Sequence, residues 1–93
     1  MAQPDRSVTN CLLEYDESVD AAYLQLSEGA VRRHIQLDDS RGLDYAANGS
    51  LVGIELLSPK RKGVVLDGLP FAADVARTLQ SCGFRIVRSP TTG

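Results

Sequence analysis

LDYAANGSLVGIELL, residues 43–57, reads as a β-strand, a turn at Asn48-Gly49 and a second, more apolar strand. Asn-Gly between apolar runs is a strong hairpin signal, because both residues tolerate the positive φ of a type I′ turn. Alternation divides the second strand into a Val52/Ile54/Leu56 face and a Leu51/Gly53/Glu55/Leu57 face. A slip of one residue would exchange these faces, so the hairpin sets the register of whatever pairs beside it.

Upstream, the pattern predicts three more short strands. Cys11–Tyr15 alternates, and Asp16-Glu17-Ser18-Val19-Asp20 follows as a turn of side chains that bond their own backbone. Ala21–Ser27 places Ala22, Leu24 and Leu26 opposite Tyr23 and Gln25, and Glu28-Gly29 turns the chain again. Val31–Asp38 alternates Val31/Arg33/Ile35/Leu37 with Arg32/His34/Gln36/Asp38, and 38–42 is a loop. Connections of two to five residues favour antiparallel neighbours.

Downstream, Ser58-Pro59 stops the fifth strand, and Lys60-Arg61-Lys62-Gly63 reads as an exposed basic loop. Val64–Leu66 can add a brief strand. A helix from Pro70 to Cys82 follows, with proline at its first position, Gly83 just past its end and a Phe71/Val75/Leu79 stripe. Phe84–Val87 is short and β-prone, fit to close the sheet as an edge. The expected fold is α+β: an antiparallel β-meander of about five strands, with a C-terminal helix packed on the sheet and a short final strand. Residues 1–10 read as a flexible arm, 11–88 as one domain and 89–93 as a disordered tail.

Composition narrows the class. The 93 residues are 43% hydrophobic and 24% charged, ordinary for one soluble domain. No apolar run approaches the roughly 20 residues of a membrane-spanning helix. MAQPDRSVTN lacks the apolar centre of a signal peptide, which points to the cytoplasm. There Cys11 and Cys82 are expected free and partly buried. The net charge of −2 is uneven: residues 1–58 carry ten acids and four bases, residues 59–93 two acids and six bases. Such a split lets the two ends of one fold attract, or marks a surface for a charged partner.

A resemblance adds to this reading. Tyr15-Asp16, Asp20-Ala21, Tyr23-Leu24 and Leu26, then Leu43-Asp44-Tyr45, Asn48-Gly49 and Leu51-Val52-Gly53-Ile54-Glu55, resemble a small bacterial family, the domain of unknown function 2283. The likeness covers about residues 12–58, and Val52-Gly53-Ile54-Glu55 after a polar turn is its most specific part. Ala46-Ala47 stands where members usually carry an acid before the turn. The segment from Gly63 to Val87 is similar to the longer members. The resemblance implies the sheet and transfers no catalytic residue. Because members tend to be encoded near small toxin-like proteins, it also implies an antitoxin-like or partner-binding role.

Which residues carry chemistry is less plain. Asp16 and Asp20 flank the first turn, where paired carboxylates can hold a cation or simply shape the loop. Arg33 sits between Val31 and Ile35, so its head must reach the sheet edge or meet a carboxylate, with Asp44 and Glu55 as candidates. Glu55 lies in the most apolar stretch and is either a solvent-side strand residue or the anchor of an interface, with Gly53 leaving room for Arg33. Tyr23 shares a polar face. His34, the single histidine, is expected to face water. No catalytic residue, metal site or cofactor is expected, since no phosphate loop, metal-spaced cluster or nucleophile elbow occurs. With 5% aromatic residues and an acidic balance, nucleic acid is not an expected partner, and neither is a membrane.

Three function classes remain. The first is a non-enzymatic interaction or regulatory module, homodimeric or bound to a small protein. The second is a ligand- or metal-binding domain using the acidic turns. The third is a small hydrolase using Glu55 or His34. The first is preferred, because apolar material exceeds any convergent polar set. The homodimer is expected because one short helix covers only part of a sheet with two edges and two faces.

Overall fold

The computed structural model describes residues 12–88. The expected N-terminal arm, Cys11 and the C-terminal tail lie outside them. The order of elements is β1 (Leu12–Asp16), β2 (Ala21–Gln25), β3 (Arg33–Gln36), β4 (Arg41–Tyr45), β5 (Leu51–Leu57), α1 (Pro59–Lys62), β6 (Val64–Val65), α2 (Ala72–Ser81) and β7 (Ile86–Val87). Strands β1–β5 form one antiparallel sheet, as alternation and short connections foretold. The fold is α+β.

Strand order departs from chain order at one place: the sheet runs β1-β2-β5-β4-β3. Strands β3, β4 and β5 meander, and β5 then inserts beside β2. The most apolar strand thus takes the centre, where both neighbours satisfy its ladder. The segment joining β2 to β3 runs past the ends of β5 and β4, donating from Leu26 and Ser27 to the Val52 carbonyl and from Arg32 to that of Tyr45. Its cost falls on β3, left as an edge.

The decisive hairpin is longer than Asn-Gly alone would make it. Gly49 donates to the Ala46 carbonyl and Ala46 to that of Ser50, so Ala47 and Asn48 are the central residues and Gly49, at φ 90°, follows them in the left-handed region. This is a three-residue loop closed by a glycine, not the expected type I′ turn. The Asn48 carboxamide accepts from the Ser50 N–H and hydroxyl, which holds Asn48 at negative φ.

Val52, Ile54 and Leu56 form the core face together with Ala22, Leu24 and Leu43. Val75 and Leu79 of α2 are fully buried against it, contributing about 1.5–3 kcal/mol each. Arg77, Gln80 and Ser81 face solvent.

Four local expectations are corrected here. The helix begins at Ala72, and Phe71 caps it at φ 56° with 46% of its surface exposed. A residue in that conformation cannot continue the stripe, so Phe71 is not core. Its place is taken by Phe84, 6% exposed and edge-on to Tyr15 at 5.2 Å. The helix end positions that ring: Phe84 N–H donates to Leu79 O and Gly83 N–H to Gln80 O, with Gly83 at φ 88°. Second, Lys60-Arg61-Lys62 belongs to the one-turn helix α1 rather than a loop. Third, β7 does not close the main sheet but pairs in parallel with β6. Cys82 caps α2 and is exposed, not partly buried.

Candidate functional site

The face of the sheet opposite α2 carries the polar side chains. Cross-strand register aligns Gln25, Gly53, Asp44 and His34 in one row, and Glu14, Tyr23, Glu55, Gly42 and Gln36 in the next. Two glycines in these rows make hollows. A Cβ on Gly42 would lie 2.5 Å from Cε1 of His34, and one on Gly53 would fall on the Tyr23 ring. Two large side chains therefore lean over the glycines from either side and converge on Asp44.

The contacts close a network drawn from three strands. Tyr23 donates its hydroxyl to Asp44 Oδ2 at 3.0 Å, and His34 Nδ1 lies 2.6 Å from Asp44 Oδ1. Gln36 donates from Nε2 to the Asp38 carbonyl at 2.7 Å, which turns Oε1 toward His34 Nε2, also at 2.7 Å. Both ring nitrogens of His34 thus face acceptors, an arrangement that favours the imidazolium. The Gln36 bond first, then Asp44 by hydrogen bond and charge with Glu55 adding to it, raise the His34 pKa above its ordinary value. Burial, and then the Asp44 bond, push the Tyr23 phenol up to about 12.

A raised histidine pKa has a definite sign. Protonation of His34 stabilises the fold fully below about pH 6.5, and this contribution is lost as pH rises through the folded pKa. In an NMR titration the His34 ring should have its midpoint above about 6.5. Asp44→Asn should bring that midpoint back down. A wild-type midpoint at or below the ordinary value would mean that the imidazolium is not held.

Of the sequence candidates, Tyr23 and Asp44 meet here, with Glu55 beside them on the same face. Arg33 does not. It lies on the other face, with its guanidinium 5.8 Å from the Tyr45 ring centroid, and the hollow over Gly53 is filled by Tyr23. The counter-charge of Asp44 is His34, for which the sequence alone offers no partner. Asp16 bonds the Ser18 N–H and hydroxyl, shaping its turn. Asp20 accepts from the Tyr15 hydroxyl and from the N–H groups of Lys60 and Arg61, tying the first turn to α1. Burial works against the Asp20 charge, but these donors outweigh it and hold the carboxyl pKa below its usual value. Among the described residues, no group of three His, Cys, Asp or Glu side chains is placed to hold a metal ion.

Arg41, which the sequence did not single out, supports the edge. It forks onto Asp38 at 2.8 and 3.0 Å and donates across to the carbonyls of Val65 and Asp67. It borders a groove of about 470 Å³ between β4 and β6.

The family model described as Protein of unknown function (DUF2283) matches residues 13–58, which is β1 through β5. Residues 13–58 belong to this family. No curated protein and no solved structure matches the chain. The family region holds the whole network, while α1, α2 and the β6–β7 pair follow it in the chain. Among the described residues, no helix is long and apolar enough to cross a membrane.

Proposed function

We propose that the chain is a non-enzymatic protein-interaction module that accepts a strand of its partner along β3, and that it is a homodimer. One observation carries this reading: β3 is an edge strand, exposed at all four residues, and Val31, Ile35 and Leu37 beside or within it are 45%, 37% and 37% exposed. An edge with free backbone groups and apolar side chains is a template for strand addition.

The network on the polar face supports the same reading over a hydrolytic one. Both His34 nitrogens, the Tyr23 hydroxyl and both Asp44 oxygens have protein partners. A general base needs an atom free to take a proton from substrate, and these atoms instead pin β3 to β4 and β2. The polar face works as a rivet that keeps the edge straight. A regulatory or antitoxin-like role, in the cytoplasm of a bacterium, is the biological form of the proposal.

The test is affinity capture from the source cells with tagged wild type and with Ile35→Lys, both shown to be folded by circular dichroism. A stoichiometric protein, or a second copy under another tag, retained by wild type and lost by Ile35→Lys is the expected result. Equal retention by both forms would remove β3 as the binding edge.

A further inference from the structure

We propose that the strand added to β3 is the β3 of a second copy, joined antiparallel about a two-fold axis through Ile35 into a continuous ten-stranded sheet. This deepens the interaction reading and rests on it.

Charge gives the direction. Arg32 and Arg33 stand at one end of the strand, Asp38 and Asp39 just beyond the other. Antiparallel self-pairing brings the basic end of each copy to the acidic end of its partner, whereas parallel pairing sets like against like. The opposite edge, β1, lacks this complement: Glu14, Asp16 and Glu17 would meet only acids.

Backbone geometry gives the register. Leu37 N–H donates to the Arg41 carbonyl, so by alternation Ile35 also bonds toward β4, and the peptide groups of His34 and Gln36 point outward. Centring the axis on Ile35 lets His34 of each copy exchange both bonds with Gln36 of the other. Faces are then preserved: Ile35 meets Ile35, and Leu37 meets the aliphatic stem of Arg33. Moving the axis to His34 would set two His34 side chains, each already held by Asp44 and Gln36, directly opposite one another. Moving it to Gln36 would pair His34 with Asp38, whose N–H already donates to the Arg41 carbonyl, and would leave only Gln36 free to exchange both bonds.

Cysteine cross-linking reads this register directly. At the axis, Ile35 is a non-hydrogen-bonded pair with Cα atoms about 4.5 Å apart, inside the window of about 4.4–6.8 Å that a disulfide accepts. Leu37 and its symmetry mate are offset by four residues, about 13 Å along the strand. Wild type should sediment at twice its 10.0 kDa mass. In a Cys11→Ser/Cys82→Ser background, Ile35→Cys should link covalently under mild oxidation at a concentration where Leu37→Cys does not. Hydrogen exchange provides a second readout without substitution: the His34 and Gln36 amides should be protected in the dimer and lose protection on dilution. A single 10.0 kDa species, or Ile35→Cys linking no faster than Leu37→Cys, overturns the self-pairing. A single 10.0 kDa species would also remove the homodimer proposed above, whereas β3 as the edge for a different protein is tested separately by the Ile35→Lys capture.

Discussion

Phe84→Ala should lower unfolding free energy by about 3–5 kcal/mol, while Phe71→Ala should change it by no more than about 1 kcal/mol. The two phenylalanines flank the same helix, and the sequence alone favours Phe71, which falls in register with Val75 and Leu79. The structure reverses them. Phe71 adopts a left-handed backbone and is 46% exposed, whereas Phe84 is 6% exposed within the cluster of Leu79, Val75, Leu24 and Leu56. Its ring also meets Tyr15 edge-on and lies beneath the Lys60 ammonium at 5.1 Å. Alanine there opens a cavity where β1, α1 and α2 meet. Urea midpoints of the two variants decide the matter. Equal losses would mean that the helix begins a turn earlier than Ala72.

The reversal shows where pattern reading stops. Period 2 and period 3.6 identify faces: they set Val52, Ile54 and Leu56 on one side of β5 and Val75 and Leu79 on one stripe of the helix, without deciding which side of the sheet the helix covers. They carry no information about a helix's first residue when a left-handed cap precedes it. Nor do they give strand order: alternation is the same whether β5 lies at an edge or in the centre. That order matters for the site, because Tyr23 and Asp44, 21 residues apart, share a carboxylate bond across β5 only when β5 separates their strands. The bond of His34 to Asp44 is not legible because a lone histidine among polar strand neighbours has no partner in the sequence, and Asp44 arrives through pairing of β3 with β4. A signal did exist. Two glycines inside strands, Gly42 and Gly53, mark places where a large neighbour crosses the backbone. The sequence reading saw the space over Gly53 and assigned it to Arg33, whereas the register assigns it to Tyr23.

Gly53→Ala should therefore be the most disruptive single methyl on the polar face. Its Cβ would fall on the hydroxyl and ring carbons of Tyr23, and β5 is central, so the backbone cannot yield. The ring must swing away, which breaks its bond to Asp44 and frees that carboxylate from one of its two partners. Overpacking of this kind costs about 1–3 kcal/mol. Two observations separate it from a simple loss of glycine flexibility, which would make alanine neutral or stabilising in a strand. In a Tyr23→Ala background the added methyl has nothing to strike, so Gly53→Ala should then cost far less, a coupling a double-mutant cycle measures directly. The His34 midpoint should also move in Gly53→Ala, because Asp44 Oδ2, released by Tyr23, alters the charge that faces the imidazolium through Oδ1. If the cost of Gly53→Ala is the same with and without the tyrosine ring, the two side chains do not share the hollow, and the network does not hang on that glycine.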